Sequence, residues 1–143
     1  MSRIEYLYLP DAREPPTLPA QPFRAVIVAE ITVDAEWRSR VSDWLVASGC
    51  LYAVCWGIDC AAWEDSIDWS ELAAADFKDV PDDRLVMTTA HADESLTDAL
   101  WFAAWAAHHP TVELGQTLIV HVANADRASE ILEAYAEAQR DEG

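Results

Sequence analysis

Lysine is almost missing from this chain. Lys78 is the only one, and together with eight arginines it stands against 26 aspartates and glutamates, for a formal net charge of −17 over 143 residues. The basic footprint that neutralises phosphates is therefore lacking, which excludes ordinary DNA or RNA binding and adhesion to anionic lipid; neither nucleic acid nor a membrane is an expected partner. A Schiff-base lysine and the late-strand lysine of a phospho-acceptor receiver domain are excluded by the same scarcity. Glycine is scarce too, with only Gly49, Gly57, Gly115 and Gly143, so no Gly-rich loop can bring backbone N–H groups up to a nucleotide phosphate. No apolar run approaches the ~18 residues that cross a bilayer. The opening "MSRIEYLYLP" lacks the apolar length and small-residue cleavage pattern of a secretory signal. A cytoplasmic location is the expectation, with the three cysteines reduced.

What the chain does have is a regular alternation. Five of its seven prolines, Pro10, Pro15, Pro16, Pro19 and Pro22, sit together, so residues 1–22 read as an N-terminal strand ("IEYLYL") followed by a Pro-rich arm, and residues 23–143 as a single α/β domain. "FRAVIVAEI" is a continuous apolar strand pattern, and "DAEWRSRVSDWLVASG" follows with Trp37, Val41, Trp44 and Leu45 at helical spacing. "CLYAVCW", "RLVMTT" and "TLIVHVA" repeat the strand pattern. Each is followed by a helical one: an interrupted "CAAWEDSI", a strong "ESLTDALWFAAWAAHH" and an amphipathic "DRASEILEAYAEAQR". Strands alternating with helices at this spacing predict a three-layer α/β/α sandwich with a Rossmann-like, mostly parallel sheet of four to five strands.

In such a fold the loops beyond the carboxyl ends of the strands form the functional rim. They would bring Glu30, Thr32 and Asp34, then Cys55, Trp56, Asp59 and Cys60, then Thr88, Thr89, His91, Asp93 and Glu94, then Asn124 and Asp126 to one edge. The candidate chemistry there is nucleophilic. Cys60 at a helix start would be activated by the helix dipole, with His91 as base and Glu94 or Asp93 orienting it. Against this, Asp59, Glu64 and Asp65 crowd the same turn with negative charge, and no GxSxG or cysteine-protease signature accompanies the thiol. Thr89 and Asp59 complete the candidate set. Cys50 and Cys55 read as packing.

Metal binding is weaker. Cys55 and Cys60 are five apart rather than in CxxC spacing, and Asp59 and His91 would have to close the site across loops, so neither a metal nor another cofactor is expected. His108 and His109 are adjacent and diverge on a helix. His121, between two valines, reads as a hydrogen-bonded core or sheet-edge histidine. The aromatics offer recognition instead. Trp56 and Trp63 would line the rim, and Trp101 with Trp105 widens a helix stripe that is either buried or a patch for a protein partner or a second copy of the chain.

The runs "WGIDCAAW" and "TTAHADE", with the stretch from "FRAVIV" to "CLYAVCWG", resemble a family of small acidic bacterial proteins described as a domain of unknown function, with W-G-x-D-C-x-x-W and T-T-x-H-x-x-E patterns over residues 20–135. The resemblance implies no activity; it draws attention to Trp56, Gly57, Asp59, Cys60, Trp63, Thr88, Thr89, His91 and Glu94. Two readings follow. The preferred one is a non-enzymatic protein that binds a basic protein partner, of the immunity, inhibitor or regulator type. The alternative is a small enzyme or ligand sensor using the Cys, His and carboxylate cluster at the rim.

Overall fold

The apolar runs form five strands: β1 (Arg3–Tyr8), β2 (Phe23–Ala29), β3 (Cys50–Gly57), β4 (Met87–His91) and β5 (Gln116–Val122). Four helices connect them: α1 (Ala35–Ser48), α2 (Cys60–Ala74), α3 (Leu96–Trp105) and α4 (Ala128–Arg140). The structure, a computed structural model, describes residues 3–141; the first two residues of the expected arm and the last two of the expected domain lie outside the described residues. All strand pairs are parallel, in the order β1-β5-β2-β3-β4. The central strand β2 is buried along its whole length, as its unbroken apolar run requires.

Side-chain alternation splits the core in two. On one face Trp37, Val41 and Leu45 of α1 and Trp63 and Ile67 of α2 cover Ala25, Ile27, Ala53, Cys55 and Val120. On the other, Leu100 and Ala103 of α3 and Ile131 and Tyr135 of α4 cover Val26, Val28, Tyr52, Val54 and Ile119. This is the expected three-layer α/β/α sandwich. Trp37 and Trp63 meet edge to face with centroids 6.3 Å apart, a geometry adding about 0.5–1.5 kcal/mol to their burial. The arm is pinned to α1 by two indoles: Trp37 Nε1 donates to Arg13 O at 2.8 Å and Trp44 Nε1 to Pro16 O at 2.7 Å. β1 joins the main sheet against β5. Among the described residues no helix is long and apolar enough to cross a membrane.

Two helices end elsewhere than the sequence pattern suggests. α2 runs on to Ala74. The acidic residues that interrupt its pattern are put to use, Asp68 accepting from Thr88 Oγ1 at 2.8 Å and Glu71 Oε2 from the Val86 N–H at 2.6 Å. α3 stops at Trp105, short of the histidine pair. There His108 Nε2 donates to the Trp105 carbonyl at 2.8 Å, and His109 Nε2 donates to Leu85 O at 2.7 Å, drawing the chain off the helix axis.

At the end of β3 the chain turns through Gly57 at φ +98°, and a Cβ there would sit 2.1 Å from Ala29 O on the neighbouring strand. Neither the dihedral nor the space admits a side chain. A Gly57→Ala protein is therefore expected to lose more than about 2 kcal/mol of stability, read as a lower urea midpoint with an unchanged slope.

Candidate functional site

Adjacent strands β2 and β5 send their chains to opposite faces, β2 into α1 and β5 into α4, and a crevice opens where such connections part. The carboxyl-edge row facing α3 and α4 runs across all five strands in register: Tyr8, His121, Val28, Trp56 and His91. Both histidines of this row are buried, and each is held on both ring nitrogens.

His121 is fully buried. Its Nε2 lies 2.5 Å from Glu30 Oε1 and its Nδ1 2.6 Å from the Tyr6 hydroxyl. A carboxylate can only accept, so Nε2–H donates to Glu30 and Nδ1 accepts from Tyr6 O–H. Tyr6 oxygen in turn accepts the Arg127 backbone N–H at 3.3 Å. The Arg127 side chain closes the network on Glu30 Oε2 and on Glu130 Oε2, the latter at 2.7 Å. Arg127, then His121, hold the Glu30 carboxyl below its usual range, against the opposing effect of burial. Burial pushes the Tyr6 phenol up to about 12, so it stays a neutral donor.

His91 carries the second network. Asp93 takes the left-handed conformation, φ 62°, which short polar residues tolerate. The turn brings Glu94 Oε2 within 3.0 Å of His91 Nδ1, while His91 Nε2 lies 2.8 Å from Thr89 Oγ1. The order of bonds follows from the carboxylate again: Nδ1–H donates to Glu94 and Nε2 accepts from Thr89. The imidazole also stacks at a tilt on Phe102, centroids 4.7 Å apart. Trp56 Nε1 donates to Glu94 O at 2.8 Å, fixing the indole beside the loop. Between these groups lies a cleft of about 410 Å³, lined by Trp56, Glu30, His91, Asp93, Glu94 and the adjoining strand ends at Ala29, Gly57 and Ile58.

Of the residues expected at the rim, the structure brings together Trp56, Thr89, His91 and Glu94. It separates Cys60. This thiol is 5% exposed and packs with Cys55, Trp63 and Ala90 under α1 and α2, whereas His91 faces α3, so the sheet stands between nucleophile and base. Burial raises the Cys50 thiol to about 12 and holds Cys55 well above its ordinary value. Asp59 starts α2 in an exposed left-handed turn. Trp63 is core, and Trp101 and Trp105 tie α3 to α4 by donating to Asp141 O and Ala138 O, each at 2.8 Å. Trp105 remains 37% exposed, and further exposed aromatic surface lies at Trp69 and Phe77, 64% and 63% exposed, at the far end of α2. Tyr6, His121 and Arg127 were not in the expected set. Among the described residues no group of three or more His, Cys, Asp or Glu is placed to hold a metal ion.

The rim is also electrostatically one-sided. In a parallel sandwich the helices all start there, with partial positive charge that attracts anions. Here the chain's own acids stand at those starts: Asp34 before α1, Asp59 before α2, and Asp126 before α4, where it accepts the Ala128 N–H at 2.9 Å. Ser95 caps α3.

The chain matches the family described as a domain of unknown function, DUF7684, over residues 4–138, and it belongs to that family. No curated protein and no solved structure matches it.

Two outcomes follow from this geometry. Iodoacetamide near neutral pH is expected to leave Cys50, Cys55 and Cys60 unlabelled in the native protein and to label all three in denaturant, by intact mass. Glu30→Gln is expected to destabilise by about 1–3 kcal/mol, since it leaves Arg127 and the His121 chain without their anion. Because the folded pKa of Glu30 lies below its unfolded value, this difference should be full above the ordinary carboxylate range and vanish as pH falls through the lower, folded value. Thermal melts of both proteins across acid pH read it.

Proposed function

We propose that this protein acts by binding, and that its partner is a basic protein segment whose lysine or arginine side chain enters the carboxyl-edge cleft against Trp56. The supporting observation is the lining of that cleft: an indole wall with Glu30, Asp93 and Glu94 around it and no lysine or arginine. An aromatic face with carboxylates beside it is the chemistry that recognises a cation. Around the cleft the loop acids Asp34, Asp59 and Asp126 add to the negative field, and Arg127 is already engaged by Glu30 and Glu130. A net charge of −17 steers a basic partner inward and speeds its encounter. The same charge opposes a second copy of the chain docking at this edge.

The enzyme reading has one feature in its favour, the order Thr89–His91–Glu94, which is that of a hydroxyl, base and orienting acid. Yet both His91 nitrogens are spent inside the protein, and Thr89 is not among the residues lining the cleft. The hydroxyl that this imidazole would activate is thus not presented to a ligand in the cleft. An inhibitor, immunity protein or regulator working in the cytoplasm, where free thiols such as Cys50, Cys55 and Cys60 persist, agrees with this arrangement.

Calorimetric titration with hexalysine tests the proposal. Affinity should fall steadily as salt rises, and Trp56→Ala should weaken binding by about 2- to 30-fold. The exposed-site variant Asp93→Asn should weaken it without loss of stability, and Cys60→Ala should leave it unchanged. Binding that ignores salt, or that survives both Trp56→Ala and Asp93→Asn intact, would refute the reading.

A further inference from the structure

Arg24 stands in the second position of β2, in an otherwise apolar strand at the centre of the sheet. In register it lies between Thr117 of β5 and Tyr52 of β3, on the face covered by α3 and α4. Its residue is only 7% exposed. Nε donates to Ala107 O at 2.9 Å and NH1 to Thr117 Oγ1 at 3.0 Å, both neutral acceptors. None of the ion pairs among the described residues includes Arg24, although 26 acids are available in the chain. Burial draws its pKa down, and the groups that oppose this are the neutral phenols of Tyr135 and Tyr52. A guanidinium stays protonated in proteins, and buried cations ordinarily sit beside an anion.

The guanidinium borders a cavity of about 470 Å³ formed where the chain leaves α3, lined also by Ala104, His108, Thr111, Val112 and Leu114. His109 forms part of the wall and is fully engaged. Its Nε2 donates to Leu85 O, and its Nδ1 accepts the backbone N–H groups of Thr111 and Val112 at 3.2 and 3.1 Å. That double acceptance fixes the 109–112 loop over Arg24. NH2 of Arg24 makes no hydrogen bond among the described residues, and the remaining lining is mixed, with Ala104, Val112 and Leu114 beside His108, His109 and Thr111. Glu113, exposed, also lines this cavity.

We propose that this cavity is a binding site for a small organic carboxylate, whose anionic head pairs with the free side of the Arg24 guanidinium while its short apolar body lies on Ala104, Val112 and Leu114. The volume falls within the range of small-molecule pockets, and the three apolar residues of the lining give a short hydrocarbon body a surface to lie on. A charge-assisted pair to a guanidinium whose other donors are already fixed gives orientation as well as affinity. The site lies at the amino edge of the sheet, opposite the rim cleft, and does not depend on the binding function assigned there.

Butyrate is the probe, with sodium chloride at matched ionic strength and neutral butyramide as controls. Saturable binding of butyrate alone is expected, with amide shifts in the NMR spectrum at Arg24, Val112 and Leu114. Arg24→Met keeps the volume without the charge; the bonds to Ala107 O and Thr117 Oγ1 are lost, offset by removal of a buried cation that has no anion beside it. This variant should fold and lose affinity by roughly 10- to 150-fold. Glu113→Gln should change affinity little. The proposal is overturned if butyrate gives no saturable shift, if butyramide binds as well, or if folded Arg24→Met retains the affinity. It is overturned equally if Glu113→Gln raises affinity by roughly tenfold or more, since Glu113 would then be the resident counter-ion.

Discussion

The register of five parallel strands is the constraint from which the rest of this molecule follows. Successive side chains alternate between faces, so a slip of one residue in any pair would exchange its two cores and move every rim side chain to the other side. Held as it is, the register sets Tyr8, His121, Val28, Trp56 and His91 in one row at the carboxyl edge. Four positions lower on the central strand, and on the opposite end of the same face, the β-bulge between Phe23 and Arg24 places Arg24 in line with Thr117 and Tyr52. On the three central strands the polar groups of this face thus gather at the strand ends, and the middle row of Ile119, Val26 and Val54 is apolar, while its edge-strand members Tyr6 and Thr89 bond to the two histidines. Such a division lets the core bury its surface without stranding a polar atom in its centre.

Burial of two histidines in that row is tolerable because every ring nitrogen is satisfied. Leaving one buried donor or acceptor unmade costs about 1–3 kcal/mol, which exceeds what a typical hydrogen bond contributes when formed. The Tyr6–His121–Glu30–Arg127 chain therefore matters less as a source of stability than as a specification. It admits one tautomer and one rotamer of His121, ties the edge strand β1 to the start of α4, and holds Glu30 at the mouth of the cleft. The Thr89–His91–Glu94 chain does the same for the loop after β4, with Trp56 pinned to its backbone.

The alternation of apolar strand and amphipathic helix was legible in the sequence because each period is local: β2 is apolar throughout, Gly49 closes α1, and Ser95 starts α3. The extent of α2 was not, because Asp65 and Asp68 break its pattern and only the fold shows Asp68 meeting Thr88. For the site, the split is sharper. Trp56, His91 and Glu94 could be read as rim residues since each follows directly from the end of a strand. The His121 network joins residues 115, 91 and 97 positions apart, and nothing local tells which strands flank β5. The thiol failed for a related reason. That Cys60 begins a helix is a one-dimensional fact, but which face of the sheet the helix covers depends on the crossover, and α2 covers the face away from His91.

A chain with 26 acids and nine bases might be thought to repel anions everywhere and attract cations everywhere, but range decides otherwise. At physiological salt a field between exposed charges fades over about 8 Å, so the net charge governs approach and not the chemistry inside a cavity. At the carboxyl edge the deciding charges, Asp93 and Glu94, are themselves exposed, and attraction there must be strongly salt-dependent. At the amino edge the deciding charge is a buried guanidinium, in a medium where an effective dielectric near 20 makes a contact pair roughly fourfold stronger than in water. The two proposed sites, at opposite ends of one sheet face, would therefore select ligands of opposite sign by different means, the first through a field and the second through contact.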